Sequence, residues 1–347
     1  MRDAPTFWFG KPGPLAWLLW PASVAYGWAT ARRMKQPALA ISDVPVLCIG
    51  NLIAGGAGKT PTAIAIAKIA RKKGLRPGFL SRGYGAINEI AEPTLVDVQQ
   101  HSSLDVGDEP LILAQYADSV VSPDRPAGAA LLHKRAVDLI IMDDGFQNPS
   151  LHKDYNLIVV DARRGIGNGF CIPAGPLRVD LRTQLAAANS VLVVGQSPAG
   201  TEMVRHCARV AKPVHSAEIK LRQSEKFRDM NLLAYCGIAD PAKFYASLEQ
   251  AGANVEATRD FSDHHPFTVE DCRELMAEAA AKRLKLATTE KDHVRLIRTG
   301  SVQQELGNAS HVLPIELEFE NPKLIDRLID ETLKRAEQTR ISKPERV

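Results

Sequence analysis

Residues 48–62 read CIGNLIAGGAGKTPT, and the fold turns on how this stretch is understood. An apolar run, VPVLCIGN from Val44, leads into Gly55, Gly56 and Gly58, after which Lys59 and Thr60 open a helical pattern. Strand, glycine-rich turn and helix in that order make a phosphate-binding loop. Glycines let backbone N–H groups close around phosphate oxygens, and the helix N-terminus behind them favours an anion. In this reading Ala54, Gly55, Gly56, Ala57, Gly58, Lys59 and Thr60 hold a nucleotide, with Lys59 on its β- and γ-phosphates and the Thr60 hydroxyl on Mg²⁺. The strict G-x-x-x-x-G-K-[ST] spacing fails at Ile53, where the first glycine would stand. The GG-x-GKT core between a strand and a helix carries the assignment.

Outward from the loop, strand and helix alternate. A helix is predicted from Thr60 to Lys73, then RPGFLSRGYG, a helix over Glu109 to Tyr116, a short strand at 119–123 and a helix over Gly128 to Ala136. VDLIIMDD, NLIVVDA and SVLVVG follow, with apolar runs too continuous for one wetted face, as in a parallel sheet covered by helices on both sides. Beyond Lys220 comes a smaller set: NLLAYCGI, a helix Pro241 to Ala251, NVEATRDF, a helix Thr268 to Lys282, KLATTE, VLPIELEF and a last helix opened by Asn321-Pro322. The predicted fold class is α/β: a P-loop NTPase-like parallel-sheet domain, a second, smaller α/β domain and an N-terminal apolar helix. The expected boundaries are 1–40, 41–220 and 221–347.

A chain of 347 residues, 45% hydrophobic and 24% charged, is long enough for two cores, and neither disorder nor coiled coil fits. Its five cysteines are odd in number, scattered, and form no C-x-x-C pair, which argues against a disulfide framework or zinc ribbon and for a reducing compartment. The net charge of +3 is too small to argue for nucleic acid, yet residues 1–40 carry five Lys/Arg against one Asp, or +4, so the remainder sums to −1. All four tryptophans (Trp8, Trp17, Trp20, Trp28) share that segment.

From Leu15 to Ala31 the chain reads LAWLLWPASVAYGWATA and ends at Arg32-Arg33. As a helix it would be roughly 26 Å long against about 30 Å of hydrocarbon, a little short to span. Pro21, Ser23, Gly27 and Thr30 weaken it as a span, whereas Trp and Tyr beside cations suit the headgroup boundary. An interfacial helix is expected here. A cleaved leader is not, since the apolar run starts late and a long enzyme-like chain follows without a convincing A-x-A site.

Other residues carry chemistry. VDLIIMDDGFQ ends an apolar strand in Asp143 and Asp144, the arrangement of a Walker B element whose carboxylates face the nucleotide crevice and support Mg²⁺. DVGDEP sets Asp108 and Glu109 at a helix start, where carboxylates also serve as dipole partners. FSDHHPFT places Asp263, His264 and His265 in a polar loop, open to an acid/base role at an interdomain cleft or to plain solvation. Arg82 of SRGYG, Arg125 of PDR and Arg178 of IPAGPLR stand on loops, and arginine suits bidentate phosphate recognition.

Taken in order, GNLIAGGAGKTP, SRGYG, VGDEP, MDDGFQ, IPAGPLR, FSDHHPFT and TTEKD resemble the tetraacyldisaccharide 4'-kinase family, from about residue 5 to about residue 330. The resemblance implies ATP-dependent phosphorylation of the 4'-hydroxyl of a tetraacyldisaccharide 1-phosphate, giving the lipid A precursor lipid IVA. The setting it implies is the cytoplasmic face of the inner membrane of Gram-negative bacteria, with the protein peripheral or monotopic. It also implies Asp108 as base on the sugar hydroxyl with His264 assisting, Glu109, Asp143 and Asp144 organising Mg²⁺, and Arg82, Arg125 and Arg178 as substrate or phosphate contacts. The partners expected are the lipid disaccharide monophosphate and the membrane surface, with no nucleic acid and no obligate protein. One departure stands out: the family usually has an acidic residue after PLR, where this chain has Val179 before Asp180.

A rival from another class is a P-loop switch or assembly ATPase acting on a protein partner. Such proteins commonly carry a second lysine just before the glycines, and here that position is Ala54. A P-loop ligase acting on a small acid would not require tryptophans at a membrane.

Overall fold

A computed structural model of the chain describes residues 5–56, 58–88, 90–297 and 301–341. Its strands are β1 (Val46–Asn51), β2 (Pro77–Ser81), β3 (Thr94–Leu95), β4 (Ser119–Val121), β5 (Leu139–Asp143), β6 (Tyr155–Asp161), β7 (Ser190–Val194) and β8 (Val214–Leu221). After these come β9 (Asn231–Cys236), β10 (Asn254–Asp260), β11 (Lys285–Thr288), β12 (Ser310–Val312) and β13 (Ile315–Phe319). One sheet has the order β13-β8-β7-β6-β1-β5-β2-β4-β3. β1 lies inside it, parallel to β5 on one side and β6 on the other. Among the described strands of this sheet, the edge strands β3 and β13 pair antiparallel with their neighbours.

The continuous apolar runs now have their cause. β1, β2, β5 and β7 are buried at every residue because helices cover both faces. The helices Lys59–Lys72 and Pro322–Ile341 bring Ile66, Ala67, Ile325, Leu328 and Ile329 onto one face. On the other, Leu132, Leu185, Met203 and Cys207 pack from the helices Arg125–Lys134, Leu181–Ala187 and Pro198–Arg209.

The smaller sheet has the order β10-β9-β11-β12, parallel throughout. Helix Pro241–Gln250 supplies Phe244 and Leu248 to one face, and helix Val269–Lys282 supplies Cys272, Leu275 and Ala279 to the other. Thr268 caps the latter helix in a box with Asp271.

In one respect the chain departs from the sequence expectation. VLPIELEF, expected as one strand of the smaller set, divides at Pro314: Ser310–Val312 joins the smaller sheet and Ile315–Phe319 returns to pair with β8. Proline has no N–H for a ladder, so the run breaks there. Leu317, Phe319 and the last helix therefore belong to the large core.

The N-terminal segment forms the helix Pro14–Met34. Its buried residues are the small ones, Ala16, Ser23 and Gly27, while Trp17, Leu18, Trp20, Val24, Tyr26 and Trp28 are exposed. Small side chains let it lie close on residues 170–173. Ser23 Oγ donates to the Cys171 carbonyl at 2.6 Å, and a Cβ on Gly27 would stand 3.1 Å from Cys171 Sγ. Ahead of the helix, Trp8 Nε1 donates to the Pro173 carbonyl at 3.0 Å. Among the described residues no helix is long and apolar enough to cross a membrane.

Candidate functional site

The carboxyl ends of β1, β2, β5 and β6 open on one crevice, the usual ligand position in an α/β sheet. β1 delivers the glycine loop. Gly55 and Gly58 have φ of 102° and 84°, a region glycine enters without strain, and Gly58 caps the helix Lys59–Lys72. The loop is held from both sides: Asn51 Nδ2 donates to the Gly55 carbonyl at 2.8 Å, and the Ala54 N–H donates to the Pro176 carbonyl at 2.8 Å. Gly55 and Gly56 remain exposed, while Lys59 and Thr60 are buried at the helix start. Ala57 lies outside the described residues.

β5 ends in Asp143, 3% exposed, and among the described residues its Oδ1 has no hydrogen-bond partner. Burial, reinforced by the charge of Glu109, pushes this carboxyl up to about 7. Asp144 follows with φ of 55° and receives the Arg178 guanidinium on both oxygens, at 2.9 and 3.2 Å. Lys59 Nζ stands 3.9 Å from Asp144 Oδ1. Burial opposes ionisation of Asp144, but Lys59 and Arg178 outweigh it and hold the acid below its ordinary value. Glu109 is also held low, chiefly by Lys291, whose Nζ reaches its Oε1 at 2.8 Å.

Among the described residues no three His, Cys, Asp or Glu side chains converge into a closed cage for an ion. The donor set suits Mg²⁺ in its open form, which needs one or two carboxylates, waters and nucleotide phosphates. The orphaned buried oxygen of Asp143 is the observation that fits such an ion, since a cation beside it removes the cost of ionising there.

Asp108 begins the helix Asp108–Ala114, and Gly107 before it has φ of 88°. A Cβ at Gly107 would come within 2.5 Å of the Tyr84 carbonyl, so glycine is needed for SRGYG to lie against this turn. Asp108 is 4% exposed, and two groups from the smaller unit converge on its Oδ2: His264 Nδ1 at 2.7 Å and Arg295 Nε at 2.8 Å. Burial alone would raise the Asp108 pKa; the hydrogen bonds from His264 and Arg295 overcome it and lower the value. Arg295 Nη1 also binds Asp292 at 2.6 Å and the Gly237 carbonyl at 2.9 Å. His264 itself has φ of 61° and lies edge-on to Tyr84, ring centroids 6.0 Å apart.

The three arginines read from the sequence fare differently. Arg82 is exposed beside the crevice. Arg178 is paired with Asp144 and Gln147. Arg125 is 2% exposed, at the start of the helix Arg125–Lys134, and its guanidinium donates to the Ser122 carbonyl. Sequence reasoning assigned nothing to Lys291, Asp292 and Arg295, although TTEKD was noted. Their signal was helical spacing. Positions 291 and 295 share one face of the helix Glu290–Leu296, and that face meets Asp108 and Glu109.

A family model described as tetraacyldisaccharide-1-P 4'-kinase matches residues 15–334. A tetraacyldisaccharide 4'-kinase of Agrobacterium fabrum is 47% identical over 330 residues, covering 95% of this chain and 94% of the relative. One of Allorhizobium ampelinum is 47% identical over 343 residues, covering 97% and 99%. The crystal structure of LpxK from Aquifex aeolicus in complex with ATP superposes with a TM-score of 0.69 at 23% identity, over 92% of this chain and 99% of that one, a likeness in fold. With nearly its whole length matched by family model and relatives alike, the chain belongs to the tetraacyldisaccharide-1-P 4'-kinase family.

Proposed function

We propose that this kinase moves the terminal phosphoryl group of ATP to the 4'-hydroxyl of a tetraacyldisaccharide 1-phosphate, with Asp108 accepting the hydroxyl proton. The bond from the γ-phosphorus to the β-bridging oxygen breaks, a bond to the sugar oxygen forms, and ADP leaves with the electron pair. The observation that carries this reading is the meeting at Asp108: a buried, ionised carboxylate at the crevice, with His264 and Arg295 both on Oδ2. Oδ1 is then the oxygen offered to the sugar, and the carboxylate form is the one able to take a proton. Lys59 and the backbone of the glycine loop bind the phosphates, and Thr60, Asp143, Asp144 and Glu109 would hold Mg²⁺. The ion, when bound, neutralises charge on the transferring group. Arg82, exposed on the loop after β2, would meet substrate.

The exposed face of the helix Pro14–Met34 supports docking on a membrane surface. Leu15, Leu18, Trp20 and Trp28 are exposed, as is much of Trp17 beside its edge-on contact with Phe170, with Arg32 and Arg33 at the end. The acyl chains of the substrate would then stay in the bilayer while the sugar enters the crevice from the cytoplasmic face of the inner membrane. Ala54, where switch ATPases carry lysine, gives no support to a protein-partnered switch.

The test is incubation of purified protein with ATP, Mg²⁺ and a lipid disaccharide monophosphate in mixed micelles, read by mass spectrometry. A bisphosphate formed by the wild type and not by Asp108→Ala is the expected result. ATP turnover with no phosphate on the lipid overturns the assignment.

A further inference from the structure

The loop after β6 carries an arginine that the roles above leave without a task. Arg164 follows the end of β6 at Asp161 and is fixed by a turn: its N–H donates to the Asp161 carbonyl at 3.1 Å, and its own carbonyl accepts from Gly167 N–H at 2.9 Å. The neighbouring Arg163 is engaged, with Asp161 at 3.3 Å and Asp240 at 3.2 Å. Among the described residues Arg164 has no ion pair; its guanidinium stands 5.3 Å from the centroid of the Phe9 ring. The far end of the side chain reaches the glycine loop: Nη1 would be 3.3 Å from a Cβ built on Gly55.

Gly55 is where the GG-x-GKT pattern lacks a cation, since Ala54 before it has no charge. It also lies at the exposed mouth of the loop, four residues ahead of the buried Lys59. The phosphate that must meet a second substrate is the terminal one, and the mouth is where it is presented. The acids Asp143 and Asp144 flank the loop on the β5 side, whereas Arg164 flanks it on the β6 side. A transferring phosphoryl group spreads charge over three oxygens, and groups on opposite sides of it can neutralise more of that charge than one side alone.

We infer that Arg164 is a phosphate-binding residue of the transfer step, an arginine supplied within the chain that donates N–H groups to the terminal phosphate of ATP. Phe9 holds the planar guanidinium from behind without competing for its hydrogen bonds. The inference rests on the kinase reading above and adds a residue to it.

The test compares wild type, Arg164→Ala, Arg164→Gln, Arg164→Lys and, as a control, Arg163→Ala. It measures lipid phosphorylation and the dissociation constants of ATP and ADP. Loss of an arginine acting on the transferring group lowers kcat by about 10³-fold. Expected with this are unchanged ADP affinity, the same loss in Arg164→Gln, partial recovery in Arg164→Lys, which has charge but no fork, and normal turnover in Arg163→Ala. Arg164→Gln keeps a planar polar end and guards against the alanine variant failing to fold. Wild-type turnover in Arg164→Gln overturns the inference, as does an equal loss of ATP and ADP affinity, which would put the guanidinium on the inner phosphates. If the wild type itself phosphorylates no lipid, the kinase reading is what has failed.

Discussion

At the residue scale the site is a set of buried carboxylates, of which Asp108 and Asp144 are each met by two cationic side chains and Asp143 keeps an oxygen unpaired. His264 and Arg295 share one oxygen of Asp108, so their contributions to proton transfer are coupled through that atom. Asp108→Ala is expected to lower kcat strongly with ATP affinity retained, His264→Ala to lower it less, and the double variant to be no worse than Asp108→Ala; steady-state kinetics of the cycle check this, and additive losses would assign His264 an independent task. Asp143 gives a pH prediction. Its folded-state value, about 7, lies above the ordinary 3.8, so the fold binds its proton more tightly than the unfolded chain does. The nucleotide-free protein therefore loses stability as pH rises from about 4 to about 7. Mg²⁺ affinity should rise over the same window, because the ion needs the ionised form. Thermal melting at pH 6 and pH 8, with and without Mg²⁺, should show this in the wild type and not in Asp143→Asn. The carboxylates were legible in the sequence because each ends a strand or begins a helix. Arg295 and Lys291 were not, since their meaning depends on a contact between residues more than 180 positions apart.

At the element scale the N-terminal helix reverses the usual pattern, with small residues inward and large apolar ones outward. Its apolar, tryptophan-rich character was readable directly. Which face it would bury was not, because Ala16, Ser23 and Gly27 announce close packing only once residues 170–173 are in place. If the outward face meets a membrane, replacing Trp17, Leu18 and Trp28 by serine should weaken binding to anionic vesicles by roughly an order of magnitude per residue. Kinase activity on a soluble, short-chain acceptor should be unaffected. Co-sedimentation with vesicles is the measurement, and unchanged pelleting of the triple variant would remove the membrane role of this face.

At the scale of the whole molecule the smaller unit enters and leaves the large one side by side. Leu221 and Ile315 are paired across β8 and β13, and Arg222 N–H donates to the Pro314 carbonyl at 2.9 Å. The parallel sheet and its two helix layers followed from the apolar runs alone. The return of the chain did not, because β8 (VHSAEIKL), second from the edge, and the edge strand β13 (IELEF) are half-exposed and weakly patterned. A protein ending at Pro314 would lack Leu317, Phe319, Ile325, Leu328 and Ile329 from the large core. Each deleted large side chain removes about 1.5–3 kcal/mol of burial, in sum comparable to a domain's whole margin of about 5–15 kcal/mol. Such a truncation should fail to give the cooperative transition of the full chain in thermal melting.

The late return of β13 also sets a timetable for synthesis. When Leu221 leaves the ribosome, the helix Lys59–Lys72 and the strands beneath it exist without the last helix that covers them, and they wait for residues 315–341. At about 5–20 residues per second, that is several seconds with an apolar face open to water. The smaller unit, contiguous from Arg222 to Pro314, has no such delay and can close its two cores as soon as it emerges. The nascent chain thus passes through a stage in which the part made second is finished first, and the half that binds nucleotide depends for its completion on residues 315–341, which follow that part.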